Sequence, residues 1–142
     1  MNYTPSQNWL TLLARILFSL IFILSAVNKI TAFDSTVTYM IGSGVTFHPE
    51  ILLIIATVLE LGGGILILFG LFTRFAGIAI FVFTAAVSYG IHHFWNYPVE
   101  MQQLQLIQLL KNIAMMGGAL YIVAFGAGAY SLDGLLRKKK GF

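Results

Sequence analysis

Residues 51–70 read ILLIIATVLELGGGILILFG, an apolar run with one ionisable side chain, Glu60, near its middle. A helix crosses the hydrocarbon core of a bilayer with ~20 mostly apolar residues. A carboxylic acid within such a run is costly unless it faces protein. Residues three and four apart share a helix face, so Glu60 lies with Ala56, Thr57, Gly63 and Gly64. All four are small, and small faces let a neighbouring helix approach closely. The stretch therefore predicts a membrane span with Glu60 turned into a bundle of helices.

Three other runs are long and apolar enough to span: about 8–28, 75–93 and 105–126. The first carries Arg15 within its apolar stretch and lacks a basic leader, so it reads as a retained span and not as a signal peptide. The whole chain, 1–142, reads as one domain: an all-α, polytopic membrane protein, a four-helix up-down bundle. Composition agrees. The chain is 58% hydrophobic and 9% charged, against about 25% charged for a soluble domain, so lipid must cover much of its surface. Four of the eight basic residues stand together at 137–140, RKKK, which reads first as a topology signal and second as a lipid-headgroup contact, not as a nucleic-acid face.

Each span carries one polar stripe. The first aligns Thr11, Arg15, Ser19, Ala26 and Lys29; the third aligns Thr84, Ser88 and His92. The fourth aligns Gln108, Lys111, Met115 and Gly118, with Asn112 beside them. The bundle interior is therefore polar. Glu60 lies roughly 14 Å below the outer end of its helix, Lys111 roughly 9 Å below the same surface, and Arg15 roughly 10 Å above the inner one. These depths predict a buried charge network of Arg15, Glu60 and Lys111. Its excess of positive charge suits an anionic ligand.

The loops are uneven. LFTR, at 71–74, makes a tight hairpin between the second and third spans. Residues 29–50 hold FDSTVTYMIGSG, which fits a short interfacial helix or a re-entrant turn, and Pro49 suits the first turn of the second span. An even number of spans puts both termini on one side. Arg74 and the C-terminal cations lie there, so the termini are expected in the cytoplasm, with His48, His92 and His93 facing outward.

The absence of cysteine removes disulfide, thiolate and CxxC chemistry. No metal site is expected: His92 and His93 are adjacent and point apart, and Asp34 and Glu100 are distant and loop-borne. GGG at 62–64 is helix packing, not a phosphate loop. A quinone is easier to place. It needs an apolar slot, donors to its carbonyls and a proton route. Tyr89, His92, Lys111 and Asn112, with Glu60 as the floor, are the candidate ligand residues in the outer half of the bundle.

Arg15 followed by SAVNKI, ELGGGILILFGLFTR, KNIAMMGGAL and the closing GAGAYSLDG form an ordered set over nearly the whole chain. In these the chain resembles the DoxX family of small four-helix membrane proteins. The resemblance implies a prokaryotic inner-membrane protein with no covalently bound cofactor. Some relatives are associated with a thiosulfate:quinone oxidoreductase and others with oxidative-stress complexes, while most have no assigned activity. Two functions follow. One is a membrane subunit that binds quinone for a partner oxidoreductase. The other is a non-enzymatic small-molecule, lipid-binding or assembly module using the polar core. The residues leave open whether the chain is catalytic alone.

Overall fold

The computed structural model describes residues 4–139; Lys140, the last of the basic run, lies outside the described residues. Six α-helices follow one another: α1 Pro5–Thr31, α2 Phe33–Gly42, α3 Pro49–Phe69, α4 Thr73–Gly90, α5 Val99–Phe125 and α6 Leu132–Lys139. A 3-10 turn, Phe94–Asn96, precedes α5. Helices α1, α3, α4 and α5 are the four expected spans, each long and apolar enough to cross a membrane.

Local chemistry sets the helix ends. Thr4 opens α1 with a capping box: its hydroxyl accepts from the Gln7 N–H, and Gln7 Oε1 accepts from the Thr4 N–H at 2.8 Å. Pro5 and Pro49 begin α1 and α3, where the missing N–H costs nothing. The α1 helix outruns the expected 8–28 at both ends, starting at the Thr4 capping box and running to its C-cap at Ala32. The linker segment folds as a helix, α2, and not as a re-entrant turn.

Packing runs in a row: α1 against α3, α3 against α4, α4 against α5. The end members, α1 and α5, meet where Gly118 admits Phe18, whose ring would stand 2.8 Å from a Cβ there, and leave a seam beyond it. The glycines of α3 admit close neighbours on both sides. A Cβ on Gly63 would stand 2.8 Å from Ile80 of α4, and one on Gly64 3.0 Å from Ile23 of α1. Phe22, Ile67, Ala76, Ile80 and Ala119 form the central core. Val37 and Met40 of α2 pack with Leu53 of α3 in a second cluster, so α2 covers the distal end of the bundle.

Both described chain ends lie at the opposite, terminal end. Asn8 Oδ1 accepts from the Ala129 N–H at 3.1 Å. The Asp133 carboxylate accepts from the N–H groups of Phe72 and Thr73 at 2.9 and 3.0 Å and from the Thr73 hydroxyl at 2.7 Å. Asp133 is thus the side-chain cap of α4, supplied from α6. It steadies the α3–α4 turn, where Phe72 holds a left-handed φ of 46°.

Candidate functional site

Glu60 is buried, 4% exposed, as its small-residue face requires. Its partner is not the expected one. Lys29 Nζ donates to Glu60 Oε2 at 2.7 Å and to Ser25 Oγ at 2.6 Å. This is the one ion pair within 4.0 Å among the described residues.

Arg15 lies elsewhere. Its guanidinium donates to the carbonyls of Ile67 and Leu68, each at 3.4 Å, and to that of Tyr130. The physical reason is the helix end. The last carbonyls of α3 have no partner within the helix and carry its negative dipole. They sit seven residues, roughly 10 Å, from Glu60 along the helix. Gly70 keeps the room: a Cβ there would collide with the Arg15 guanidinium, and its φ of 67° suits glycine.

Lys111 does not pair with Glu60 either. It is exposed and donates to Gln108, one turn back on the same helix. The buried line of α5 is Gln105, Asn112 and Ala119, a seven-residue spacing rotated away from the expected Gln108–Lys111–Met115 stripe. Tyr89 is corrected too. It is 84% exposed and faces away from the bundle, because its neighbour Ser88 takes the inward position.

Glu60, His92, Lys111 and Asn112 nevertheless line one cavity of about 110 Å³ in the distal half of the bundle, together with Lys29 and Thr84. Phe22, Phe83 and Met115 supply its apolar wall. All four spans contribute. Ile21 and Lys111, both exposed, mark its rim, so the cavity opens at the α1–α5 seam. Several waters or a small polar group fit such a space.

The donors converge. The Asn112 amide donates to Ser88 Oγ at 3.0 Å, and Ser88 donates to the Thr84 carbonyl at 2.7 Å. Thr84 Oγ1 is buried with no hydrogen-bond partner, against the rule that buried polar groups are hydrogen-bonded to protein or water. An unpartnered hydroxyl on a polar cavity is a donor waiting for an acceptor.

His92 is held from the distal side. Gln105 Nε2 donates to the Tyr39 hydroxyl at 2.9 Å, which turns Gln105 Oε1 toward His92 Nδ1 at 2.8 Å. An amide oxygen only accepts, so Nδ1 carries the proton and Nε2 is the ring's accepting nitrogen. Beyond it, the single Tyr97 hydroxyl proton is shared between two acceptors, Ser43 Oγ at 2.7 Å and the Ile91 carbonyl at 2.9 Å. Burial pushes the Tyr97 phenol up, with the Ser43 hydrogen bond opposing, so it stays a donor. His93 stacks loosely with Trp95 and Tyr97 at ring distances of 6.2 and 5.6 Å. Among the described residues no three His, Cys, Asp or Glu side chains gather as a metal set.

Sequence reasoning missed Lys29, Thr84 and Gln105 as site residues. The first two already stood on the polar stripes of their helices. Gln105 lies seven residues before Asn112, on the same face, and that spacing was the available signal.

The DoxX family profile matches residues 10–93, which run from α1 to the end of α4. The chain belongs to the DoxX family. The resemblance in its motifs is therefore borne out. The chain is similar to inner membrane protein YphA of Escherichia coli (strain K12), 36% identical over 132 residues, 93% of this chain and 94% of that protein. It is also similar to inner membrane protein YqjF of the same organism, 38% identical over 128 residues, 90% of this chain and 92% of that protein. No solved structure matches it. Both relatives are inner membrane proteins, in keeping with the four apolar spans of this DoxX-family chain.

Proposed function

We propose that this DoxX-family protein is a membrane subunit whose distal cavity binds the head group of a quinone for a partner oxidoreductase, in a prokaryotic inner membrane. The carrying observation is the unpartnered Thr84 hydroxyl in a cavity shared with Lys111 and Asn112 and open at the α1–α5 seam. A benzene ring occupies a cavity of about 150 Å³. The space of about 110 Å³ therefore takes one carbonyl edge of a ring, and the remainder lies in the seam.

The donor set fits. Thr84 and Lys111 donate to a carbonyl oxygen, Asn112 positions Thr84 through Ser88, and Phe22, Phe83 and Met115 flank the ring. A bound quinone supplies two-electron, two-proton redox chemistry. His92 Nε2 accepts a proton at the distal side, while Nδ1 stays fixed on Gln105. The Lys29–Glu60 pair holds a fixed dipole beneath the site.

A second reading rests on charge. Two ammonium groups and one carboxylate line the cavity, which favours a small anion with no redox role. One experiment separates the two. A menaquinone or ubiquinone analogue is titrated into the purified protein and followed by tryptophan fluorescence, with acetate titrated in parallel. Thr84→Val is the informative variant. It removes a hydroxyl that has no partner, so stability holds, while loss of one hydrogen bond worth about 1 kcal/mol weakens quinone-analogue binding about fivefold. Lys111→Met weakens it further, and Tyr89→Phe leaves it unchanged. Acetate binding with no quinone binding favours the second reading. Quinone binding untouched by both Thr84→Val and Lys111→Met removes this cavity as the site.

A further inference from the structure

A second site lies at the terminal end, independent of the distal cavity. Arg74 at the start of α4 and Arg137 on α6 line a cleft of about 320 Å³. Its walls are Phe72, Phe75, Phe125 and Leu136. Each guanidinium donates to one backbone carbonyl, Arg74 to that of Ala124 and Arg137 to that of Asp133, both at 3.3 Å. A guanidinium has five N–H donors, so most remain for a ligand. Neither arginine has an acidic partner within 4.0 Å among the described residues. Asp133 also lines the cleft, but its carboxylate is engaged in capping α4.

We propose that this cleft binds an anionic phospholipid, with its phosphate between Arg74 and Arg137 and an acyl chain along Phe75 and Phe125. Two observations choose a lipid. The cleft sits where spans α4 and α5 end, and its aromatic walls are exposed: Phe75 by 75% and Phe72 by 61%. Helix α6 presents Leu132, Leu135 and Leu136 as exposed apolar residues beside Arg137, Lys138 and Lys139, the pattern of a helix lying in the membrane interface. Guanidinium matches phosphate by paired hydrogen bonds, and a basic pocket between span ends is suited to anionic head groups.

The test is native mass spectrometry of the full chain in detergent, titrated with phosphatidylglycerol or with phosphatidylcholine of the same acyl chains. The parent protein is expected to retain phosphatidylglycerol in preference. Each cation at a lipid surface strengthens binding about fivefold, so Arg74→Gln with Arg137→Gln lowers phosphatidylglycerol affinity about 25-fold. Either single variant lowers it about fivefold, which serves if the double variant does not fold. Lys138→Gln with Lys139→Gln keeps most of the preference. Equal retention of both lipids by the parent overturns the proposal. So does a folded double arginine variant that keeps the preference, or an equal loss in the lysine variant, which assigns the effect to diffuse charge. Inorganic phosphate binding as tightly as the lipid overturns the lipid as occupant.

Discussion

Glu60 shows how far a single residue can be read. Its inward direction was legible, because Ala56, Thr57, Gly63 and Gly64 leave it only a helix interface to face. Its partner was not legible. Depth alone left Arg15 within reach, but antiparallel α1 and α3 set Lys29, and not Arg15, opposite Glu60. That register depends on where Gly63 and Gly64 let their neighbours dock, which is a tertiary fact. Lys29 is 22% exposed and Glu60 6% at the side chain, so the pair is mostly shielded from solvent. Breaking a buried pair from one side leaves the other charge uncompensated, at about 3 kcal/mol. Lys29→Met and Glu60→Gln should each lower the thermal midpoint in detergent, and the double variant should lose much less than their sum. Strict additivity would show that the two side chains are not coupled.

At the scale of elements, the four spans were legible from apolar length, and the α3–α4 turn from LFTR. Helix α6 was not. Leu132–Lys139 is too short and too charged to read as a span, and its helix is fixed by docking: the Asp133 N–H donates to the Gly70 carbonyl at 2.8 Å while its carboxylate caps α4. Arg15 works on the other half of the same junction, satisfying the end of α3. The cation serves the negative end of one helix and the carboxylate the positive end of the next. Asp133→Ala should therefore cost about 1–2 kcal/mol, the usual worth of a side-chain cap. Asp133→Asn keeps an acceptor oxygen and should cost less. Thermal unfolding of the purified variants measures this, and an unchanged midpoint for Asp133→Ala would show that the hairpin holds without its cap.

For the whole molecule, an up-down bundle with a polar interior was legible, but its closure was not. The row from α1 to α5 is open beside the distal cavity, where Asn112 turns inward and Lys111 stands exposed at the rim, and closes where Gly118 meets Phe18. This placement also bears on orientation. Lys29 is bound to Glu60, and Lys111 lies within a span, so neither counts as a loop charge. Arg74, Arg137, Lys138 and Lys139 all stand at the terminal end. By the positive-inside rule, that end, with both termini, is expected to face the cytoplasm. The chain has no cysteine, so single introduced thiols report without background. Ser35→Cys, at an exposed position on α2, should react with an impermeant maleimide added outside intact spheroplasts. A cysteine appended after Phe142 should react only once the membrane is opened. The reverse pattern would put the termini outside and turn the distal cavity, with His92 and Lys111, toward the cytoplasm.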